Sequence, residues 1–306
     1  MKLAFAGTPV FAATVLRGLL ASNHEVGLVI SQPSRWRGRG RKLFSTPVAE
    51  LALAADLPLR QPARIGEVAG EISAHDALVV AAYGQILRPD TLYAASLGAW
   101  NVHASLLPAY RGAAPIERAI IAGEKETGVS LMRMDEGLDT GPVALQYRTP
   151  ITADMTGGEL TQVLAELGGK AIVEGMSKLE ENSLTLSEQD SLNATYAAKL
   201  GDEERVIRWG ERVEQIHDLI RALTPHIGAR TFHPEVEGPI RVLRSRIFRD
   251  GLPHSEPGTI LPAKEQILVE CGEGILEIME LQMPGGRALV ADDFLRGRRL
   301  EGRFSS

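Results

Sequence analysis

Three polar side chains in this sequence have the types and spacing for acyl-group chemistry: Asn101, His103 and Asp139. Asn101 and His103 stand two apart in an apolar run that predicts a β-strand over 98–103. Side chains alternate along a strand, so the amide and the imidazole leave the same face near its C-terminal end. Side by side they are donors suited to an oxygen that becomes negative during acyl transfer. The plainer alternative is a pair of polar caps where a strand exits into a loop. Asp139 sits in Met134-Asp135-Glu136-Gly137-Leu138-Asp139-Thr140-Gly141-Pro142, whose two glycines permit a tight loop that can approach a ligand. An aspartate that reaches an imidazole fixes its tautomer and stabilises its protonated form. Asp-Thr-Gly alone is an ordinary turn. It is also the tripeptide of aspartic proteases, but neither a second such aspartate nor a β-rich architecture accompanies it here.

Other chemistries lack support. His24, His75, His103, His217, His226, His233 and His254 show no His-x-His or HExxH spacing, so no metal site is expected. Cys271 is the sole cysteine, which excludes an internal disulfide; its place at the end of an apolar run reads as packing. The net charge of −6 argues against a general binder of nucleic-acid backbone. Positive charge is concentrated instead in Arg35, Arg37, Arg39, Arg41 and Lys42, interleaved with Gly38 and Gly40 and free of acids. Such a segment is either a solvated flexible loop or a phosphate-contacting one. No apolar run reaches the roughly 20 residues a membrane span needs, and Thr8-Pro9 follows too soon for a secretory leader. A cytoplasmic location is the expectation.

The elements that must position these residues follow from patterning. With 306 residues the chain has room for two domains. Its first half alternates short apolar runs with helical patterns, the signature of βαβ units and a parallel sheet. Strands are predicted over 2–6, 25–30, 77–82, 98–103, 128–134 and 142–147. A first helix carries Phe11, Val15, Leu16, Leu19 and Leu20 on one face, Pro47 opens a second, and 115–122 forms a short third. Thr156-Gly-Gly-Glu159 is a capping box that starts a long helix through Leu179. From about 180 to 204 the composition turns polar and reads as a linker. Beyond it lies one amphipathic helix (Val213, Ile216, Ile220, Leu223) ending at Pro225. Short strands over 241–243, 259–261, 267–271 and 275–281 then suggest a small antiparallel barrel or sandwich.

Asn101-x-His103 with Ser105-Leu106-Leu107-Pro108, then Asp139-Thr140-Gly141, resembles the catalytic set of the folate-dependent formyltransferases. Phe5-Ala6-Gly7-Thr8-Pro9-x-Phe11-Ala12, Gln32-Pro33, Ala82-Tyr83-Gly84-Gln85-Ile86-Leu87 and Arg111-Gly112-Ala113-Ala114-Pro115-Ile116 narrow the resemblance to members that formylate an aminoacylated tRNA. It spans 1 to about 180 and continues more weakly through Tyr196-Ala197-x-Lys199-Leu200 and Ile207-x-Trp209.

The resemblance implies an α/β fold: a Rossmann-like parallel-sheet catalytic domain over 1–182, a linker over 183–204 and a smaller OB-like β-barrel domain over 205–306 that holds the tRNA. It implies formyl transfer from 10-formyltetrahydrofolate to the α-amine of initiator methionyl-tRNA for translation initiation, with no metal, by a monomer. Asn101, His103 and Asp139 would be the catalytic trio. Ser105, Leu106, Leu107 and Pro108 would line the folate site. Tyr83, Gly84, Gln85, Ile86 and Leu87 and the loop residues Glu136 and Leu138 would contact the pterin, largely through backbone. Arg35, Arg37, Arg39, Arg41 and Lys42 would reach the tRNA acceptor end. Two departures stand out: Ala109 replaces an expected basic residue, and Arg208 precedes Trp209 where an acid is expected. A family member acting on a small substrate, with the same trio, is the nearest alternative. A non-catalytic nucleotide-binding module is weaker, because no GxGxxG follows the first strand.

Overall fold

The apolar runs of the first half pair as the patterning predicts. A computed structural model describes residues 1–37, 42–249 and 255–306. The chain divides into two compact units, one of 1–115, 126–149 and 161–197, the other of 116–125, 150–160 and 198–306.

In the first unit the strands are β1 (Lys2–Gly7), β2 (Glu25–Ile30), β3 (Arg35–Arg37), β4 (Lys42–Phe44), β5 (Leu59–Arg60), β6 (Ala77–Ala81), β7 (Ala99–His103), β8 (Glu126–Arg133) and β9 (Val143–Pro150). Seven of them form a sheet in the order β5-β2-β1-β6-β7-β8-β9. Pairing is parallel from β5 through β7 and turns antiparallel at β7–β8. Strand β6 is buried along its whole length, the mark of a strand covered on both faces. β3 and β4 pair separately, Arg35 opposite Phe44 and Trp36 opposite Leu43. Three members of the basic segment, read from sequence as a loop, thus lie in paired strands: Arg35 and Arg37 in β3 and Lys42 in β4. Arg39 and Arg41 lie outside the described residues.

Helix α1 (Val10–Leu20) buries Phe11, Val15, Leu16 and Leu19, while Leu20 is only half-buried. Helix α2 (Pro47–Ala54) starts at Pro47, with Thr46 Oγ1 accepting from the Ala49 N–H. After the short helices α3 (Ala69–Ile72), α4 (Pro89–Leu92) and α5 (Pro115–Ile121), the long α6 runs Gly157–Glu180. Its capping box is present: Thr156 N–H donates to Glu159 Oε2 at 2.8 Å, and Glu159 N–H to Thr156 Oγ1 at 3.2 Å. Small residues let α6 lie close to its neighbours. A Cβ on Gly168 would stand 2.7 Å from Val102 on β7, and one on Gly18 would stand 3.0 Å from the Gly169 backbone.

The second unit holds α7 (Val213–Leu223), β10 (Ala229–His233), β11 (Val236–Arg249), β12 (Ile260–Leu261), β13 (Ile267–Glu270), β14 (Ile275–Gln282), β15 (Ala288–Val290) and α8 (Ala291–Gly297). The strand expected over 241–243 is a small part of the long β11. Polar and charged residues interrupt its apolar pattern, since only alternate positions face the core. The sheet runs β10-β11-β14-β13-β12, with β15 also on β14. Both edges are met by the chain end, through bridges Phe232–Ser305 on β10 and Thr259–Arg303 beside β12. This antiparallel half-barrel packs Ile240, Val242, Val269, Leu276 and Ile278 against Val213, Ile216 and Ile220 of α7. Trp209 stacks on Phe304 at 5.7 Å and donates from Nε1 to Thr231 Oγ1 at 2.9 Å. Arg208 is exposed beside it.

Two outcomes test this packing. A Cβ on Gly128 would stand 2.1 Å from the Tyr147 carbonyl oxygen and 2.5 Å from Leu106. Gly128→Ala therefore forces a backbone shift and should cost about 1–3 kcal/mol, as overpacking does. Urea unfolding with the parent midpoint would contradict it. Cys271 is fully buried, and burial pushes its thiol up to about 12. A thiol reagent at pH 8 should leave the native chain unlabelled and react fully in denaturant, because the thiolate is the nucleophile.

Candidate active site

The parallel pairing of β2, β1, β6 and β7 brings their C-terminal ends to one edge of the sheet. Thr8, Ser31, Ala82 and Ala104 follow those ends directly. Strand order reverses between β1 and β6, the position where open α/β sheets bind ligands. The edge is cross-tied there: Thr8 Oγ1 donates to the Tyr83 carbonyl at 2.9 Å, and Ser31 Oγ meets Thr46 Oγ1 at 2.5 Å.

β7 delivers Asn101 and His103 to this edge, in register with Met132 and Ser130 of β8. The Asp139 carboxylate lies beside both. Asn101 Nδ2 donates to Asp139 Oδ1 at 3.2 Å, and His103 Nδ1 lies 3.7 Å from Asp139 Oδ2. Oδ2 also accepts the Gly112 N–H at 2.9 Å. The other imidazole nitrogen, Nε2, is 2.9 Å from the Tyr110 carbonyl oxygen. An acceptor therefore faces each ring nitrogen, which suits an imidazole carrying two N–H groups. The His103 and Asp139 side chains are only 6% and 13% exposed, so charges between them are weakly screened.

The loops that complete the site adopt unusual backbone. Asp139, Tyr110 and Ala82 have φ of 53°, 59° and 43°, values that non-glycine residues rarely take. The two glycines flanking Asp139 are there for closeness. A Cβ on Gly141 would stand 1.9 Å from the Arg133 carbonyl oxygen, and one on Gly137 would stand 2.0 Å from Thr140 Oγ1. Asp135 closes the turn by accepting the Gly137 N–H and the Thr140 hydroxyl.

The remaining site candidates divide into groups. Ser105 is fully buried; its hydroxyl donates to the Ala109 carbonyl at 2.6 Å, and its own carbonyl accepts from Ser130 Oγ. Its hydroxyl is thus used within the turn. Leu107 is buried and joined to Pro108 by a cis peptide bond, while Leu106 and Pro108 are half-buried. Gln85 is also occupied, accepting the Ile65 N–H and donating to the Ala63 carbonyl. Tyr83 and Leu87 point into the core, against which Met134 also packs, so both loops rest on one base. The Tyr83 hydroxyl is buried without a partner, and burial, with Glu67 adding to it, pushes it up to about 12. Ile86 and Leu138 are 89% and 58% exposed. Gly84 has nothing within 4 Å of an added Cβ, and Glu136 is exposed. Of the basic segment, the backbones of Arg35, Arg37 and Lys42 lie in the β3–β4 pair. Among the described residues, no group of three or more His, Cys, Asp or Glu is placed to hold a metal.

Two residues bonded into the site were not singled out from sequence. Gln189, in the polar stretch read as a linker, donates from Nε2 to the Asp139 and Gly141 carbonyls at 2.9 and 2.7 Å. Arg111, quoted only as part of a motif, donates to Gln189 Oε1 at 3.1 and 2.8 Å. Nothing in the local pattern marks a lone Gln in a Ser/Glu/Asp-rich stretch. The motif position of Arg111 was the one available signal.

Residues 1–176 match the "Formyl transferase" family model and 199–299 the "Formyl transferase, C-terminal domain" model. The chain is 62% identical over 302 residues to the methionyl-tRNA formyltransferase of Rubrobacter xylanophilus, covering 99% of each chain. It is 44% identical to that of Marinobacter nauticus, over 97% of this chain and 96% of the relative. Among solved structures, the N-formyltransferase from Helicobacter canadensis, solved with folinic acid and dTDP-3-aminofucose, has the same fold. Its TM-score is 0.70 at 19% identity, covering 91% of this chain and 98% of that one. Two family models in order and full-length relatives well above 30% identity settle the classification: this chain belongs to the formyl transferase family.

Proposed function

We propose that this chain transfers the formyl group of 10-formyltetrahydrofolate to the α-amine of initiator methionyl-tRNA, giving formylmethionyl-tRNA for translation initiation. One observation carries the chemistry: at the switch-point edge, the Asp139 carboxylate is bonded to the Asn101 amide and faces the His103 ring. The substrate assignment is supported by relatives named methionyl-tRNA formyltransferase that match end to end.

The folate supplies a formyl carbon bonded to nitrogen. The chain's residues do the rest. An amide nitrogen carries two N–H groups, so Asn101 has one left after its bond to Asp139. That N–H is a donor for the formyl oxygen as it gains negative charge. His103 gives up its Tyr110 carbonyl partner for the same oxygen, since a bond to a charged acceptor is the stronger one. Asp139 holds the ring in orientation, and the ring passes a proton toward the leaving folate nitrogen. The α-amine of an aminoacyl ester, with a reference pKa of about 7.7–8.0 for an α-amino group, attacks the formyl carbon without a strong base; the formyl bond to the folate nitrogen breaks, and the proton the amine loses replaces the one His103 gave up. The exposed Ile86 and Leu138 and the backbone around Gly84 receive the pterin, beside Tyr83, Gln85, Leu87 and Glu136. The turn of Ser105, Leu106, Leu107 and Pro108 walls the folate site. In this reading the catalytic domain is 1–182, the linker 183–204 and the tRNA-holding barrel 205–306. The protein acts as a monomer in the cytoplasm, where initiator tRNA is used. Among the described residues, no helix is long and apolar enough to cross a membrane.

Arg35, Arg37, Arg39, Arg41 and Lys42 contact the acceptor-end phosphates. This reading is supported by the segment's place in the sequence after β2, whose C-terminal end shares an edge with that of β7.

Formyl transfer from 10-formyltetrahydrofolate to charged initiator tRNA, with uncharged and elongator tRNA as controls, tests the assignment. His103→Ala and Asp139→Asn should each lower kcat by at least about 10²-fold, the scale for losing a key transition-state donor or its support. Binding of tRNA and the folded state should be retained; near-parent turnover in either variant would remove the trio from the mechanism.

Replacing Arg37, Arg39 and Arg41 together by alanine should lower kcat/KM for charged tRNA. It should also flatten the salt dependence, because phosphate contacts release counterions. Folate binding should persist. Unchanged catalysis at low and moderate salt would make the segment a solvated surface with no part in tRNA binding.

A further inference from the structure

The polar stretch after α6 does more than join two parts of the chain. Within the first unit its residues 187–197 run along both loops of the site. Ser187 and Val143 exchange backbone hydrogen bonds at 2.8 and 2.9 Å. The Tyr110 N–H donates to Thr195 Oγ1 at 2.8 Å, and the Arg111 N–H to the Thr195 carbonyl at 2.8 Å. The Ala197 N–H donates to the Arg111 carbonyl at 2.7 Å, and the Ala114 N–H to the Ala197 carbonyl at 3.0 Å. A Cβ on Gly112 would stand 3.0 Å from the Ala197 carbonyl oxygen, so the two strands of chain are in close contact.

Between those ends the side chain of Gln189 crosses the site. Its Nε2 donates to the carbonyls of Asp139 and Gly141, and its Oε1 accepts from Nε and Nη2 of Arg111. The partners fix the amide's orientation, since carbonyls require N–H groups and a guanidinium requires an oxygen. Arg111 is 3% exposed, and a buried guanidinium is tolerated only when well bonded. Asp139 is the residue held at a φ of 53°. Such a conformation persists only where the surroundings over-determine it, and the Gln189 N–H is bonded to that residue's own carbonyl.

We propose that Gln189, held by Arg111, is a positioning residue that fixes the Asp139 backbone and so aims its carboxylate at Asn101 and His103. The inference rests on the assignment of Asp139 to the catalytic trio. Without the two N–H bonds the strained loop relaxes, and the Asp139 carboxylate, 3.7 Å from His103 Nδ1, moves off the ring. Displacements of about 1 Å at such sites cost on the order of 10²-fold in rate.

The test uses the full chain with 10-formyltetrahydrofolate and charged initiator tRNA. Gln189→Met keeps the length and removes all the hydrogen bonds. Gln189→Glu keeps a partner for Arg111 and removes the two N–H donors. Both should lower kcat by about five- to 100-fold while KM for each substrate stays within about threefold. In an Asp139→Asn background the same substitutions should lower kcat by less than about twofold, because residues acting through one another are non-additive. A general structural role would give equal losses in both backgrounds and would overturn the proposal, as would a kcat loss below fivefold in the parent. If Gln189→Met does not fold, Gln189→Glu carries the comparison, since its buried guanidinium remains paired. Asp139→Asn alone separates the two levels. Near-parent turnover there sinks the trio and this inference with it, whereas an impaired Asp139→Asn beside an active Gln189→Glu sinks the brace alone.

Discussion

The Asp139 carboxylate is the contact on which the site depends. One oxygen accepts from Asn101, and the other accepts the Gly112 N–H and faces His103. These three partners come from a β-strand, a loop after it and the imidazole at that strand's end. A carboxylate on a loop thus joins the two segments that must stay in register. Its reach requires positive φ at Asp139 and a backbone approach at Gly137 and Gly141 that no side chain would permit. The cost of that conformation is offset by the bonds the loop receives, including those from Gln189.

The sheet supplies the frame. Four parallel strands end on one edge, so groups far apart in sequence, Thr8, Gln32, Tyr83 and Asn101, arrive together. The glycines of α1 and α6 at 18, 168 and 169 serve the same end by letting helix and sheet pack without spacing β7 outward. The half-barrel of the second unit has its own core, built on α7 and β11–β14 around Trp209 and Phe304. A tRNA-holding role for it agrees with its slightly acidic composition only if the RNA-facing charge is local, on particular arginines rather than across the domain.

The relatives that match end to end are named methionyl-tRNA formyltransferases, while the Helicobacter canadensis protein that shares the fold was solved with a sugar nucleotide. The chemistry near the formyl carbon needs donors and a held imidazole. In the proposed reading, the identity of the amine is selected by charge and by an added domain. In this chain those features are the basic segment after β2 and the region after 198, which is where the proposed specificity resides.

Much of this was legible in the residues. Short apolar runs located β1, β2, β6 and β7, the Thr156–Glu159 box located the start of α6, and two-residue spacing put Asn101 and His103 on one face. Those features are local: a strand's alternation or a helix cap is complete within a few residues, so sequence carries it. β10 and most of β11 were not legible because their charged residues mask the alternation, and β15 because three residues are too few to show one; cross-strand partners decide the pairing. The same reason hid the brace. The polarity of 183–197 reads as solvent exposure, yet Gln189 faces a buried guanidinium and two carbonyls from segments 50 and 78 positions away. Sequence by itself determined which groups could do the chemistry and which elements would carry them. Tertiary structure alone decided which partners satisfied them, because a hydrogen bond between distant segments depends on where the chain returns, and no local pattern records that return.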